Sequence, residues 1–78
     1  MDKEAFQKKL GKRVIKLREA KGWSQAELAR ACDKEPQSIE RIENGKINPS
    51  CFYIYEVAQG LGLSVKDLFD FDSSLKNK

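Results

Sequence analysis

The chain has 78 residues, of which 35% are charged and 40% hydrophobic, and its net charge is +3. This length fits one small domain, and this composition argues against a disordered chain. No apolar run is long enough to cross a bilayer, and the N-terminal stretch MDKEAFQKKL lacks the apolar segment of a signal peptide. We therefore expect a cytoplasmic protein.

Basic residues are concentrated near the N-terminus. Residues 1–22 contain eight Lys or Arg against three Asp or Glu, whereas residues 23–78 contain seven against nine. Such an excess permits nucleic-acid binding. A lysine-rich helix face is equally typical of a solvated surface, so charge alone leaves both interpretations open.

The sequence offers few residues for catalysis or metal binding. It has two cysteines and no histidine, and Cys32 and Cys51 lack the spacing of a zinc site. We expect both thiols to be reduced and buried on helices, with a redox-sensing pair as the alternative. No Ser or Cys lies near an activating group, so we expect no enzyme, no metal and no cofactor.

Apolar spacing and capping residues predict two helices in the first half of the chain. The first helix spans Lys3 to Lys21, with Asp2 as its N-cap and Gly22 as a left-handed C-cap. The second helix begins after Ser24, which forms a capping box with Glu27. The predicted inward residues of these two helices are Phe6, Leu10, Val14, Leu17, Leu28, Ala29 and Cys32.

A short break then separates the second helix from the third. Residues 33–35 form the break, where Asp33 tolerates the left-handed conformation better than most residues. Pro36 fits the first position of a helix that extends to Glu43. That helix is apolar only at Ile39 and Ile42, so most of its surface faces solvent or a partner.

Two further helices complete an all-α fold. The fourth begins near Asn48 to Ser50 and ends at Gly62, and the fifth begins at Ser64 with Asp67 as its capping partner. Residues 1–70 form one domain in this prediction, and residues 71–78 form a disordered tail. The predicted inward residues of the fourth helix are Cys51, Ile54, Val57, Ala58 and Leu61.

The second and third helices form the pattern of a helix-turn-helix, in which a turn of roughly three or four residues joins two steeply crossing helices. The second helix of such a unit is held out from the body, so that it can enter the major groove of DNA. The sequence resembles the Cro/phage-repressor, or Xre-type, family in the stretches LGKRVIKLREAKGWSQAELA, QSIERIENGK and NPS…VAQGLGLSVKDLF. The resemblance covers Leu10 to Phe69 and implies a compact five-helix bundle, operator binding and a homodimer.

The resemblance assigns base-reading roles to the third helix. Gln37 and Arg41 match the positions that read bases, and Pro36, at the front of that helix, is a third base-reading candidate. Arg can bind guanine bidentately, and Gln can pair with adenine in the same way. As isolated residues, both would be ordinary solvated side chains.

The resemblance also assigns contacts with the DNA backbone. The start of the second helix, at Ser24 and Gln25, matches a phosphate-binding position, and exposed N–H groups at a helix start bind anions. The other backbone candidates are Ser38, Asn44, Lys46 and Tyr53. The fourth helix also carries three aromatic residues, Phe52, Tyr53 and Tyr55, which could belong to the peripheral core or to a dimer surface. Of these, Tyr53 is the one expected to reach DNA or a partner.

An ion pair and two departures complete the resemblance. Arg18 and Glu43 match a pair that ties the first helix to the end of the third. Asp33 stands where such turns usually carry Gly, and Glu35 brings a carboxylate that repels phosphate unless it reads a cytosine amino group. These departures affect the base code rather than the fold.

Two functions follow from this sequence. The first is a cytoplasmic transcriptional regulator that binds a roughly palindromic operator as a dimer, with restriction–modification controllers as one subtype. The expected dimer surface combines the end of the fourth helix, the fifth helix and nearby aromatic residues. The alternative is an antitoxin-like module that neutralises a small protein partner and also binds its own promoter.

Overall fold

Five α-helices follow one another in the computed structural model, which describes residues 1–71, and that range contains no β-strand. The all-α prediction with five helices is therefore confirmed. No helix in the described range is both long and apolar enough to cross a membrane. The helices are α1 (Lys3–Ala20), α2 (Gln25–Cys32), α3 (Pro36–Glu43), α4 (Cys51–Leu61) and α5 (Val65–Leu68).

Side-chain caps fix where these helices begin. The Asp2 carboxylate accepts a hydrogen bond from the Ala5 amide at 2.8 Å, which starts α1. Ser50, rather than Asn48, caps α4, because its hydroxyl accepts a hydrogen bond from the Tyr53 amide. Complete capping boxes start α2 and α5, formed by Ser24 with Glu27 and by Ser64 with Asp67. The predicted starts are thus confirmed, since each depends on residues within one turn of chain.

The core lies where α2 packs against both α3 and α4, while α1 covers α3 and α5 covers α4. The side chains of Leu28 and Ile39 are fully buried at the centre of this arrangement. The remaining buried apolar residues are Leu10, Val14, Ala29, Cys32, Ile42, Ile54, Val57, Ala58, Leu61 and Leu68.

Helices α1 and α3 approach each other closely at Gly11. A Cβ atom at this position would lie only 2.4 Å from the carbonyl oxygen of Ile42 and 2.5 Å from that of Glu43. These are backbone atoms, so no side-chain movement could make room for it. The end of α3 is therefore held directly against the backbone of α1.

Three aromatic rings join the start of α1 to the chain that follows α5. The ring centroid of Phe6 lies 6.0 Å from that of Phe69 and 5.8 Å from that of Phe71, within the range of favourable aromatic contacts. The predicted tail began at residue 71, but Phe71 packs against the core. The rest of that predicted tail, residues 72–78, lies outside the described residues.

The two cysteines are free thiols in different environments. Cys32 is buried, and this burial raises its pKa to about 11. Cys51 is exposed, so the prediction that both cysteines are buried is wrong for Cys51. The physical reason is its position as the first residue of α4, one turn before the buried stripe that begins at Ile54.

This difference predicts distinct reactivity of the two thiols in the native protein. At neutral pH a bulky thiol reagent should label Cys51 rapidly and Cys32 only as fast as the protein opens, because the buried thiol stays protonated and inaccessible. A Cys51→Ser variant should lose the rapid phase, and Cys32→Ser should keep it but be destabilised by about 1–3 kcal/mol. Stopped-flow labelling counts the thiols that react rapidly per molecule of native protein. One rapid thiol is expected, and two would refute the burial of Cys32.

Candidate nucleic-acid interface

The turn between α2 and α3 is three residues long and has a fixed conformation. Asp33 adopts the left-handed conformation, with φ 59° and ψ 48°, as the sequence predicted. The amide of Lys34 donates to the carbonyl of Ala29 at 2.8 Å, which closes the end of α2. Pro36 occupies the first position of α3 after an extended Glu35. Because Pro fixes its own φ and restricts the preceding residue, the direction in which the chain enters α3 is restricted locally.

Helix α3 has one buried side and one exposed side. Ile39 and Ile42 anchor it in the core, and Glu43 is buried beside them. Gln37 and Arg41 are both exposed and lie four residues apart, so they project from the same side of the helix. The structure thus brings together the residues predicted to read bases, with Pro36 exposed at the front of the same helix.

Glu40 belongs to this exposed side but was missing from the predicted site. It is exposed and lies on the opposite side of Gln37 from Arg41 around the helix. Its spacing of three residues from Gln37 could have placed it there from sequence alone. With Asp33 and Glu35 also exposed, the α2–α3 turn and α3 together expose three carboxylates and a single guanidinium. Carboxylates can accept hydrogen bonds from cytosine, but they repel phosphate.

A buried polar network holds the C-terminal end of α3. Glu43 accepts hydrogen bonds from Arg18 Nε at 2.7 Å and Arg18 Nη2 at 3.1 Å. Arg18 Nη1 also donates to the carbonyl of Trp23 at 2.7 Å, just before α2. The side chain of Glu43 is 1% exposed and that of Arg18 is 14% exposed. The hydrogen bond with Glu43 raises the pKa of Arg18, so its guanidinium remains charged.

Gln25 joins the same network. Its Nε2 group donates to Glu43 Oε1 at 2.8 Å, so its side-chain amide faces α3 as well as the start of α2. The Ser24 hydroxyl is exposed and accepts a hydrogen bond from the Glu27 amide. The amides of Gln25 and Ala26 precede the first hydrogen bond within α2, and such amides at a helix start can bind an anion. Sequence spacing did not reveal the link from Gln25 to Glu43, because it depends on the packing of α2 against α3.

The loop after α3 carries two of the predicted backbone contacts. Asn44 is the exposed C-cap residue of α3, and Lys46 is exposed two residues later. The amide of Lys46 donates to the carbonyl of Arg41 at 2.9 Å, which holds the loop against the end of the helix. Ser38 is half-buried at the edge of the outward side of α3. Asn44 and Lys46 therefore lie beyond the end of the candidate reading surface.

Tyr53 differs from its predicted role. Its hydroxyl oxygen is buried and has no hydrogen-bond partner among residues 1–71, although the Ser38 hydroxyl lies nearby and opposes the rise in the Tyr53 pKa that burial causes. The ammonium group of Lys34 covers the ring at 4.7 Å from its centroid. A buried hydroxyl does not reach phosphate, so Tyr53 is corrected from a backbone contact to a packing residue. The exposed aromatic residues of α4 are Phe52 and Tyr55.

Comparison with known proteins identifies this arrangement. The helix-turn-helix family model HTH_3 matches residues 14–68, which is more than half of the 78-residue chain. The chain belongs to this helix-turn-helix family. The proteins of the family are DNA-binding transcriptional regulators rather than enzymes. The predicted Xre-type resemblance is thereby confirmed.

Individual relatives agree with this helix-turn-helix assignment. An uncharacterized HTH-type transcriptional regulator from Archaeoglobus fulgidus is 35% identical over 60 residues, covering 77% of this chain and 86% of that protein. A second uncharacterized HTH-type transcriptional regulator, from Sinorhizobium fredii, is 34% identical over 63 residues, covering 81% of this chain and 82% of that protein. The crystal structure of the restriction-modification controller protein C.AhdI from Aeromonas hydrophila matches with a TM-score of 0.81 at 34% identity, covering 83% of this chain and 98% of that one.

The burial of the Glu43 network predicts a large effect on the stability of this helix-turn-helix regulator. Arg18→Ala leaves a buried carboxylate without its counter-ion and should lower the free energy of unfolding by about 3 kcal/mol or more. Glu43→Ala should cost somewhat less, because the stranded guanidinium retains partial access to water. Urea denaturation midpoints of both variants measure these changes.

The second ion pair of the described residues provides the matched control. Lys34 and Glu56 form a pair whose side chains are 21% and 29% exposed, so Glu56→Ala should cost under about 1 kcal/mol. Equal, small losses for Glu56→Ala and Arg18→Ala would show that the Arg18–Glu43 pair is an ordinary surface contact.

Proposed function

We propose that this helix-turn-helix regulator binds double-stranded DNA sequence-specifically, as a homodimer on a roughly palindromic operator in the cytoplasm. The observation that carries this proposal is the outward side of α3, where Gln37 and Arg41 are exposed while Ile39 and Ile42 are anchored in the core. A helix held in this way can enter the major groove, where each base pair presents a distinct set of donors and acceptors.

The proposed interface separates base reading from backbone contact. Gln37 and Arg41, with Pro36 at the front of α3, face the bases. Ser24 and the first amides of α2, together with Ser38, Asn44 and Lys46, contact phosphates on either side of the groove. Support for this division comes from the positions of these groups, since the second set lies at the start of α2, at the edge of α3 and beyond its end. Phosphate contacts fix the register, and base contacts provide specificity.

Two alanine variants test this division. Arg41→Ala should lose about 1–3 kcal/mol of binding free energy on the cognate operator and much less on a scrambled duplex, because a bidentate contact with one base is removed. Lys46→Ala should weaken binding to both duplexes equally and lower the salt slope by about one unit per monomer. The operator is first obtained by selection from random DNA, and both variants are then titrated at several salt concentrations.

Lys12, an exposed lysine of α1 in a groove beside Asp70 and Phe71, supplies the control for net charge. Lys12→Ala removes one positive charge from the solvent side of α1 and should leave discrimination between the duplexes unchanged. Equal losses for Arg41→Ala on cognate and scrambled DNA would show that Arg41 contacts phosphate. Helix α3 would then not read bases in the proposed orientation.

An aromatic pair on α4 supports self-association. Phe52 and Tyr55 are 65% and 48% exposed, and their rings stack with centroids 6.0 Å apart and planes inclined by 26°. Exposed aromatic surface of this kind is typical of interfaces. We assign it to a second copy of the chain, because one short recognition helix provides few base contacts and a dimer doubles them. In the antitoxin-like alternative, a small protein partner covers the same pair.

Half-site spacing tests dimeric binding. Two half-sites should lie about one helical turn apart, roughly 34 Å, and inserting five base pairs between them places them on opposite faces of the duplex. Affinity should then fall towards that of a single half-site in an electrophoretic mobility titration. Unchanged affinity after the insertion would contradict cooperative binding by a dimer.

Surface variants of α4 separate the two partners. Phe52→Ser combined with Tyr55→Ser should shift the free protein towards monomer in sedimentation velocity, whereas Tyr55→Phe, which keeps the ring, should not. A wild-type protein that is monomeric at high concentration, and that copurifies with one small protein through this pair, would favour the antitoxin-like alternative.

A further inference from the structure

A basic groove lies between the N-terminal half of α1 and the loop that follows α3. Lys3 and Lys8 line it from α1, and Asn44 and Lys46 line it from the loop. Its volume is about 580 Å³. All four residues are exposed. We call this surface, defined by these four residues, the α1–loop groove.

The packing beneath the α1–loop groove fixes its two walls relative to each other. Gln7 Nε2 donates to the carbonyl oxygen of Gly45 at 3.2 Å, which joins α1 to the loop. Gly45 has φ +69°, and a Cβ atom there would lie 3.0 Å from Cα of Lys8 and 3.2 Å from its backbone nitrogen. The loop therefore lies directly against the backbone of α1. Lys8 and Lys46 are held on neighbouring walls by this contact.

The α1–loop groove is positively charged, whereas the exposed surface of α3 and the turn before it is negatively charged. Asp33, Glu35 and Glu40 outnumber Arg41 among the exposed residues of the turn and α3, which gives these exposed residues a formal charge of −2. DNA is a polyanion, and most of its sequence-independent attraction comes from lysine and arginine near phosphates. The α1–loop groove carries three lysines against the single carboxylate of Glu4, a formal charge of +2.

We propose that Lys3 and Lys8 bind phosphodiester oxygens of the same duplex that α3 reads, adjacent to the phosphate contacted by Lys46. This inference rests on the proposed function and extends its footprint along the DNA backbone beyond α3. The groove begins at Asn44 and Lys46, where the proposed backbone contacts end, and continues onto α1. Its ligand is thus the DNA backbone itself, bound by charge and without dependence on base sequence.

A second basic surface of α1 provides an internal comparison. Lys9, Lys12 and Lys16 line a separate groove of about 360 Å³ beside Asp70 and Phe71, away from the loop. Lys12 and Lys16 are exposed residues of the same helix as Lys3 and Lys8. Replacing either pair by Gln removes the same charge from the same helix, so the two double variants differ only in position.

The test measures the dependence of DNA affinity on salt. Lys3→Gln with Lys8→Gln should reduce the slope of log affinity against log salt by about 1.8 per monomer, since each phosphate contact contributes about 0.9. The loss should be equal on cognate and scrambled duplexes. Lys12→Gln with Lys16→Gln should leave the slope unchanged, and Lys3→Arg with Lys8→Arg should retain the wild-type slope.

Duplex length locates the contact. On a duplex trimmed to the base pairs under α3, the Lys3→Gln and Lys8→Gln double variant should bind as the wild type does, because the flanking phosphates are absent. Equal slope reductions for the two double glutamine variants would overturn the proposal in favour of a general effect of net charge. An unchanged slope for the Lys3 and Lys8 variant on long duplexes would also overturn the proposal. The ligand of the groove would then be an acidic protein surface rather than DNA.

Failure of this inference can be told apart from failure of the proposed function. If Arg41→Ala relaxes base preference while the Lys3 and Lys8 variant behaves as the wild type, α3 reads DNA and only the extended footprint is wrong. If Arg41→Ala relaxes no preference, the reading role of α3 is itself refuted. Circular dichroism checks that each variant retains its helices, as expected for exposed positions.

Discussion

The buried Glu43 carboxylate ties the helix-turn-helix to α1 and joins its two helices to each other. It is buried at the end of α3 and receives hydrogen bonds from α1, through Arg18, and from the start of α2, through Gln25. A buried charge is expensive unless it is paired and hydrogen-bonded, so loss of either partner disturbs all three helices together. An apolar residue could fill the same space, but its packing would not depend on the exact positions of Arg18 and Gln25. The network therefore constrains the direction of α3 as well as contributing to stability.

The same network joins two parts of the proposed DNA surface. Gln25 begins α2, whose first amides are proposed to bind phosphate, while Glu43 ends α3, whose outward side carries the base-reading candidates. A phosphate bound at the start of α2 is thereby placed at a fixed distance from bases facing α3. Since backbone contacts set the register in which bases are read, a rigid link between the two helices is a requirement of specificity.

Sequence patterns predicted the features of this fold that depend on neighbouring residues. Helix starts at Ser24 and Ser64 and the left-handed Asp33 follow from hydrogen bonds and backbone preferences within one turn of chain. The errors concern contacts between distant segments. Cys51 matched the helical period of α4 but lies where no neighbouring helix covers it, and Phe71 was assigned to a tail although it meets Phe6. Periodicity shows which side of a helix faces inward, but not how far the neighbouring helices extend.

The candidate site shows the same division. The spacing of Gln37 and Arg41 was sufficient to place both on the exposed side of α3. No local pattern could show that Gln25 bonds to Glu43, or that Lys8 lies against Gly45, because these pairs meet only after α1 and α2 pack on α3. This packing also determines where the lysines of α1 lie relative to the carboxylates of α3 and its turn. If α3 enters the major groove as proposed, these exposed carboxylates are repelled by phosphate, and cations elsewhere have to offset that repulsion. The fold places Lys3 and Lys8 of α1 beside the loop that follows α3, where they can do so.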